Sequence, residues 1–194
     1  MSRREEWSLT EAAKLLGEAQ HRLIYLCEKG VVRPDIQDAE GRGSSRRFSA
    51  RNLLEFALAL RLRELEMAVS LAVVVIHVLR AFERSVREEI TSFRLPESLR
   101  KVGAPDLRVI IGDGRRLYFT LATGKAAPKV FGGVDLQEVG VEGTGERALQ
   151  RRLGRPVKVK DLIGIGGFGR PEGSRHARLE VSVTGIARDL KLER

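Results

Sequence analysis

Between Gly41 and Arg51 the chain carries four arginines, Arg42, Arg46, Arg47 and Arg51, with no acidic residue, on a stretch rich in Gly and Ser. Guanidinium groups on a backbone that can approach closely suit anionic oxygens, and each phosphate they neutralise releases condensed counterions. A second glycine run, Gly164-Ile165-Gly166-Gly167-Phe168-Gly169, satisfies the G-x-G-x-x-G spacing of a dinucleotide cradle. Such a cradle needs a helix N-terminus directly after it, and here Arg170-Pro171-Glu172-Gly173 follows, so a glycine-rich connection is the expected reading. His21, His77 and His176 are scattered, with no Cys or carboxylate at ligand spacing, so no metal site is expected. No Ser/His/Asp or Cys/His set and no obvious carboxylate pair stands out, so neither catalysis nor a cofactor is expected. Arg147, Arg151, Arg152, Arg155, Lys158 and Lys160 form a second basic run, which reads as a solvated face or as a contact to DNA flanks or an anionic ligand.

The residues before the arginine loop form a pattern that could position it. Ser8-Leu9-Thr10-Glu11 offers N-cap hydroxyls to a short helix through Leu16, which Gly17 breaks. A second helix is expected from about Ala19 to Glu28, closing at Gly30, with Pro34 preventing its resumption. Ala13 and Gly17 are small where two helices would cross, and Leu23 and Leu26 would bury one face of the second helix. Gln20, His21, Arg22 and Tyr25 would then point outward, where a major groove could receive them. Asp35–Ser45 should be an exposed loop.

From Ala50 the period is again helical, with Leu54, Leu58, Leu62 and Leu65 on one stripe. A further helix is expected over about Ser70–Phe93. Val75, Leu79, Phe82, Val86, Ile90 and Phe93 recur at threes and fours, close to a coiled-coil seam, with Arg80, Glu83, Arg84, Arg87 and Glu88 on the opposite face. That seam suggests a helix–helix dimer, packing within its own domain being the alternative. Leu95-Pro96 and Gly103-Ala104-Pro105 mark a boundary, beyond which the period changes to two. Leu107–Ile111 and Leu117–Leu121 flank Gly112-Asp113-Gly114 as a β-hairpin. Leu179, Val181 and Val183 alternate with Arg178, Glu180, Ser182 and Thr184 as another strand. Val130–Val141 and Val157–Val159 are weaker strand candidates, and Glu146–Leu153 could be one short helix.

The whole chain has 194 residues and a formal charge of +9, which favours a polyanionic partner. The charge is uneven: residues 1–104 hold 18 basic and 15 acidic side chains (net +3), and residues 105–194 hold 17 and 11 (net +6). The half that resembles a DNA reader is thus the less basic one, and its case rests on pattern. A single cysteine, Cys27, cannot make an internal disulfide, and no signal peptide is visible, so a cytoplasmic location is expected. The longest apolar stretch, Leu71–Val78, is far short of the roughly 20 residues a membrane span needs, so no membrane partner is expected.

The N-terminal stretch resembles the MerR family of transcription regulators. Trp7-Ser8-Leu9-Thr10-Glu11-Ala12-Ala13-Lys14-Leu15-Leu16-Gly17 is similar to that family's first helix and turn. Leu23 to Pro34 runs without a gap over its recognition helix and exit, Arg46-Arg47-Phe48-Ser49 over its wing motif, and Leu62-Arg63-Glu64-Leu65 over the Leu-Arg-Glu-Leu before the next helices. The resemblance covers about residues 7–80 and then a long helix where the family has its antiparallel dimer helix. It implies that His21 stands at a DNA-contacting position, that Tyr25 touches the phosphate backbone, and that Arg46 lies in the wing. Lys14 and Arg33 occupy positions that are commonly basic. Ile24, Leu26 and Cys27 depart from the family pattern, Glu66 stands where Gly is expected, and the wing loop is longer. The backbone clamp could therefore shift onto Arg22, Arg42, Arg47 and Arg51.

Together these readings predict an α+β protein: a winged helix-turn-helix DNA-binding domain at 1–69, a dimerisation helix at 70–95 and a small β-rich C-terminal domain at 105–194. The expected function is a sequence-specific transcriptional regulator, not an enzyme, acting as a homodimer on palindromic promoter DNA. The resemblance implies promoter distortion that alters how RNA polymerase meets its elements, with an effector unknown. The alternative is an architectural or partner-docking DNA-binding protein. The expected contacts are Lys14, Gln20, His21, Arg22, Tyr25, Arg33, Arg42, Arg46 and Arg47.

Overall fold

A computed structural model describes residues 6–37, 45–113, 116–122, 129–135, 177–190 and 192. The chain mixes helix and strand. Helix α1 (Leu9–Leu16) starts in a capping box: the Glu11 N–H donates to Ser8 Oγ at 3.3 Å, and the Ser8 N–H donates back to Glu11 Oε2 at 2.8 Å. It ends at Gly17, whose φ of +68° is left-handed and whose absent side chain would meet nothing within 4 Å. The glycine is therefore chosen for its backbone rather than for space. Gly17→Ala should lower stability by about 1 kcal/mol, measured by urea denaturation.

Helix α2 (Gln20–Glu28) follows and closes at Gly30, φ +70°, where the Val31 N–H returns to the Leu26 carbonyl at 2.9 Å. Ala12, Ala13, Leu23 and Leu26 are buried where α1 and α2 meet. Strand β1 (Trp7–Ser8) pairs antiparallel with β2 (Arg47–Phe48), and Gln37 bridges to Arg47 on the other side. The expected loop over Asp35–Ser45 is described only at its two ends. Helix α3 (Ala50–Glu64) begins in a second capping box, Ser49 with Asn52, and Phe48 packs edge-on against Phe56 with ring centroids 5.1 Å apart. After it, Glu66 takes a left-handed φ of +59°.

Helix α4 (Val69–Glu89) departs from its expected course. It stops at Glu89 rather than Phe93, and residues Leu71 to Ile76 are all buried. Helical turns that are apolar on every side lie in the interior, and in α4 these are the turns from Leu71 to Ile76. The stripe expected to form a dimer seam therefore faces the chain's own core: Val75, Leu79, Phe82 and Phe93 are buried, Val86 is half-buried, and Ile90 is exposed. Phe82 stacks on Phe119 (centroids 6.0 Å, planes 9° apart) and meets Phe93 edge-on. The periodicity is that of a packed helix, which sequence spacing cannot tell from a seam. The opposite face is solvated only in part: Arg84 and Glu88 are exposed, whereas Glu83 is buried and Arg80 mostly so.

A short helix α5 (Glu97–Arg100) leads to the sheet. Strands β3 (Asp106–Gly112), β4 (Arg116–Ala122), β5 (Lys129–Asp135) and β6 (Arg178–Ser182) form an antiparallel sheet in the order β5-β4-β3-β6. The expected hairpin is there, with Leu107 opposite Leu121 and Ile111 opposite Leu117, and Asp113 takes a positive φ in its turn. The expected strand through Thr184 stops at Ser182 instead. Ser182 Oγ accepts the Gly185 N–H at 2.9 Å and caps helix α6 (Val183–Asp189). Thr184 is buried as a tie: it accepts the Leu107 N–H at 2.8 Å and donates to the Pro105 carbonyl at 3.0 Å. A buried donor–acceptor pair at this spot outweighs the alternating pattern.

One cluster of buried side chains runs from Trp7 to Leu192, through Leu79, Phe82, Leu95, Leu99, Phe119 and Val181. The core thus continues across the boundary expected near residues 95–105. No described helix is long and apolar enough to cross a membrane. The second basic run, the glycine run at 164–169, the segments 146–153 and 157–159, His176 and Arg42 lie outside the described residues.

Candidate nucleic-acid interface

Gln20 and His21 are the first two residues of α2 and both are exposed, as is Tyr25 one turn further on at 43%. Leu23 and Leu26 hold the opposite face of the helix in the core, so burial on one side fixes which residues face out on the other. Gln20 Nε2 donates to Thr10 Oγ1 at 3.0 Å, which steadies the start of α2 against α1. Lys29 Nζ lies 5.5 Å from the Tyr25 ring centroid, a cation–π contact that brings positive charge beside the phenol. Lys14 is exposed on α1.

Arg22 is placed differently from expectation. It is half-buried, and its Nη1 donates to Glu18 Oε2 at 2.6 Å, so part of its donor capacity stays within the chain. Arg33 is exposed at the exit from α2, and its carbonyl accepts Asn52 Nδ2 (2.8 Å) and Arg80 Nη2 (3.1 Å). Arg46 and Arg47 are half-buried at the base of the arm between Gln37 and Phe48, with the Arg47 N–H bonded to the Gln37 carbonyl at 2.9 Å. Gln20, His21, Tyr25 and Lys14 thus come from the α1–α2 pair, and Arg46 and Arg47 from the arm that β1 ties to the start of α1.

Arg51, named as a possible part of the clamp, is turned toward acids of its own chain. Its Nε donates to Asp35 Oδ2 at 2.9 Å and its Nη1 to Glu83 Oε2 at 3.1 Å. Burial pulls its guanidinium down, but Asp35 and Glu83 outweigh burial and hold it above its ordinary value. Beneath it lies a network that sequence reasoning missed. Arg80 grips the fully buried Glu55 through two 2.6 Å bonds, Nε to Oε1 and Nη2 to Oε2, and Asn52 Nδ2 donates to Glu55 Oε2 at 3.0 Å. Burial pushes the Glu55 carboxyl up against the pull of Arg80 and Asn52. The signal was legible in principle: Glu55 is a lone acid between Leu54 and Phe56 in an apolar helix, which demands a buried partner.

No group of three or more His, Cys, Asp or Glu side chains able to hold a metal occurs among the described residues. A shallow depression at the exit of α2, lined by Gly30, Val31, Arg33, Val73, Ile76, His77 and Arg80, holds about 20 Å³, little more than a water. Compared with known proteins, the chain matches no family model and no curated protein.

Proposed function

We propose that this chain is a sequence-specific DNA-binding transcriptional regulator of the MerR type, reading duplex DNA through a winged helix-turn-helix. The observation that carries the reading is the outward face of α2, where Gln20 and His21 open the helix and Tyr25 follows one turn later, all exposed. In helix-turn-helix proteins the N-terminal residues of the second helix meet base edges in the major groove. Gln20 has the donor–acceptor pair that suits adenine, and His21 offers a ring nitrogen to a base edge. Lys14, Arg33, Arg42, Arg46 and Arg47 would hold the sugar–phosphate edges on either side and set register rather than sequence. Support also comes from Glu66, whose left-handed backbone falls where the resembled family places glycine.

The working unit is a homodimer on a palindromic promoter site, which acts by distorting DNA so that polymerase engages it differently. Its contact surface must lie away from the buried Val75–Phe82 stripe; Ile90, 54% exposed at the end of α4, is the seam residue left outside. Selection of duplexes bound from a random pool should yield a two-fold symmetric consensus. A selected pool with no consensus, and no preference lost on altering His21, would end the proposal. An architectural DNA-binding protein would also give a consensus, but would leave polymerase footprints at that promoter unchanged.

A further inference from the structure

Asp35 and Ser49 flank the arm, one on each side, and they touch. Ser49 Oγ donates to Asp35 Oδ2 at 2.8 Å, and the Asp35 N–H and Ser49 N–H both donate to the single acceptor Asn52 Oδ1, at 2.9 and 3.1 Å. Two backbone positions 14 residues apart are thus closed onto one amide oxygen and one carboxylate. Arg51 then joins this closure to the long helix, Nε to Asp35 on one side and Nη1 to Glu83 Oε2 on the other. Glu83 is anchored in turn, because its Oε1 accepts the Leu95 N–H at 3.0 Å. A continuous chain of charge-assisted hydrogen bonds therefore runs from the base of the arm to the connection that leads into the sheet.

We propose that Asp35 and Arg51 are positioning residues of the interface: Asp35 closes the base of the arm and Arg51 fixes that base to α4, so that Arg46 and Arg47 are presented at a set angle to α2. Arg51 on this view touches no DNA, although its place in an arginine-rich stretch suggests a phosphate contact. The binding half of the inference rests on the DNA-binding reading; the structural half does not. A merely stabilising role would be felt across the whole chain, whereas a positioning role is felt at the arm and vanishes once the arm has nothing to present.

The test uses the full chain with Arg51→Met and, as a milder variant that keeps the side-chain shape, Asp35→Asn. Hydrogen exchange at the Gln37 and Arg47 amides, which pair with each other across the base of the arm, should rise about tenfold or more while the α1 and α2 amides keep their rates. Unchanged exchange at the arm, or a uniform rise everywhere, overturns the proposal. Binding is then read on the selected duplex. Arg51→Met should weaken it about as much as Arg46→Ala with Arg47→Ala, and the three together should be no weaker than those two. Losses that multiply, with the log–log salt slope falling by a further 0.9 or so, would make Arg51 a direct phosphate ligand and overturn the proposal. Should the wild-type chain bind no duplex at all, the DNA-binding reading falls, and the exchange experiment still decides whether the clamp exists.

Discussion

Arg80→Ala is expected to lower the free energy of unfolding by about 3–5 kcal/mol, seen as a fall in the denaturant midpoint. The size follows from what the substitution strands. Glu55 has no exposed surface, and its two oxygens are satisfied by Arg80 and Asn52. Removing Arg80 leaves a carboxylate in the core with one hydrogen-bond donor, Asn52, and a cation no nearer than Arg51 Nε at 4.0 Å, and the Arg33 carbonyl keeps only one of its two partners. The exposed pair Arg61–Glu64 is just as short at 2.7 Å, yet Arg61→Ala should change stability by less than about 1 kcal/mol, because water takes the place of the guanidinium. Glu55→Met combined with Arg80→Met should recover most of the deficit, since Glu55 and Arg80 then leave no unpaired charge in the core and Asn52 still donates to the Arg33 carbonyl. If Arg80→Ala costs no more than Arg61→Ala, the buried network does not hold the helices together.

Raising monovalent salt from about 50 to 200 mM should weaken DNA binding by roughly a thousand- to hundred-thousand-fold, the range for 6–10 neutralised phosphates. Lys14, Arg33, Arg42, Arg46 and Arg47, taken from each of two copies, supply cations in that range. Arg46→Ala should make the log–log slope shallower by about 0.9 for each phosphate left without its cation, and should weaken every duplex alike. Gln20→Ala and His21→Ala should behave differently: the slope holds, while discrimination at the base each one reads falls by on the order of 1–3 kcal/mol. Fluorescence anisotropy with matched and scrambled duplexes separates the two patterns. A slope near zero for the wild type would mean that these cations do not meet phosphates.

The elements nearest the N-terminus were legible because their signals are local. Ser8 with Glu11, Gly17, and Gly30 before Pro34 specify caps and breaks through interactions a few residues apart, and both helices lie within a residue or so of their expected bounds. The hairpin around Asp113 was legible for the same reason. What failed was everything decided at a distance. Val75, Leu79 and Phe82 repeat as a seam would, but whether the occupant of their groove is a second copy or the chain's own Phe119 depends on a strand some 40 residues later. Arg51 is drawn inward by Asp35 and Glu83, 16 and 32 residues away, which no local window contains. Val183 and Thr184 follow the strand's alternation, but the tie from Thr184 to residues 105 and 107 ends the strand there, and Ser182 then serves as a local cap of the kind Ser8 makes.

The burial of most of α4 between Leu71 and Glu83 bears on how the chain can be taken apart. Scissors placed between Arg100 and Pro105 would look natural from the sequence, yet they would strip Phe82 of its stacked neighbour and leave Leu95 and Leu99 facing water. A severed reader would carry a raw apolar flank and clump before it met an operator. On the proposed reading, the face of α2 rests on a foundation that the distant sheet helps to lay, and whatever loosens that sheet should be felt there.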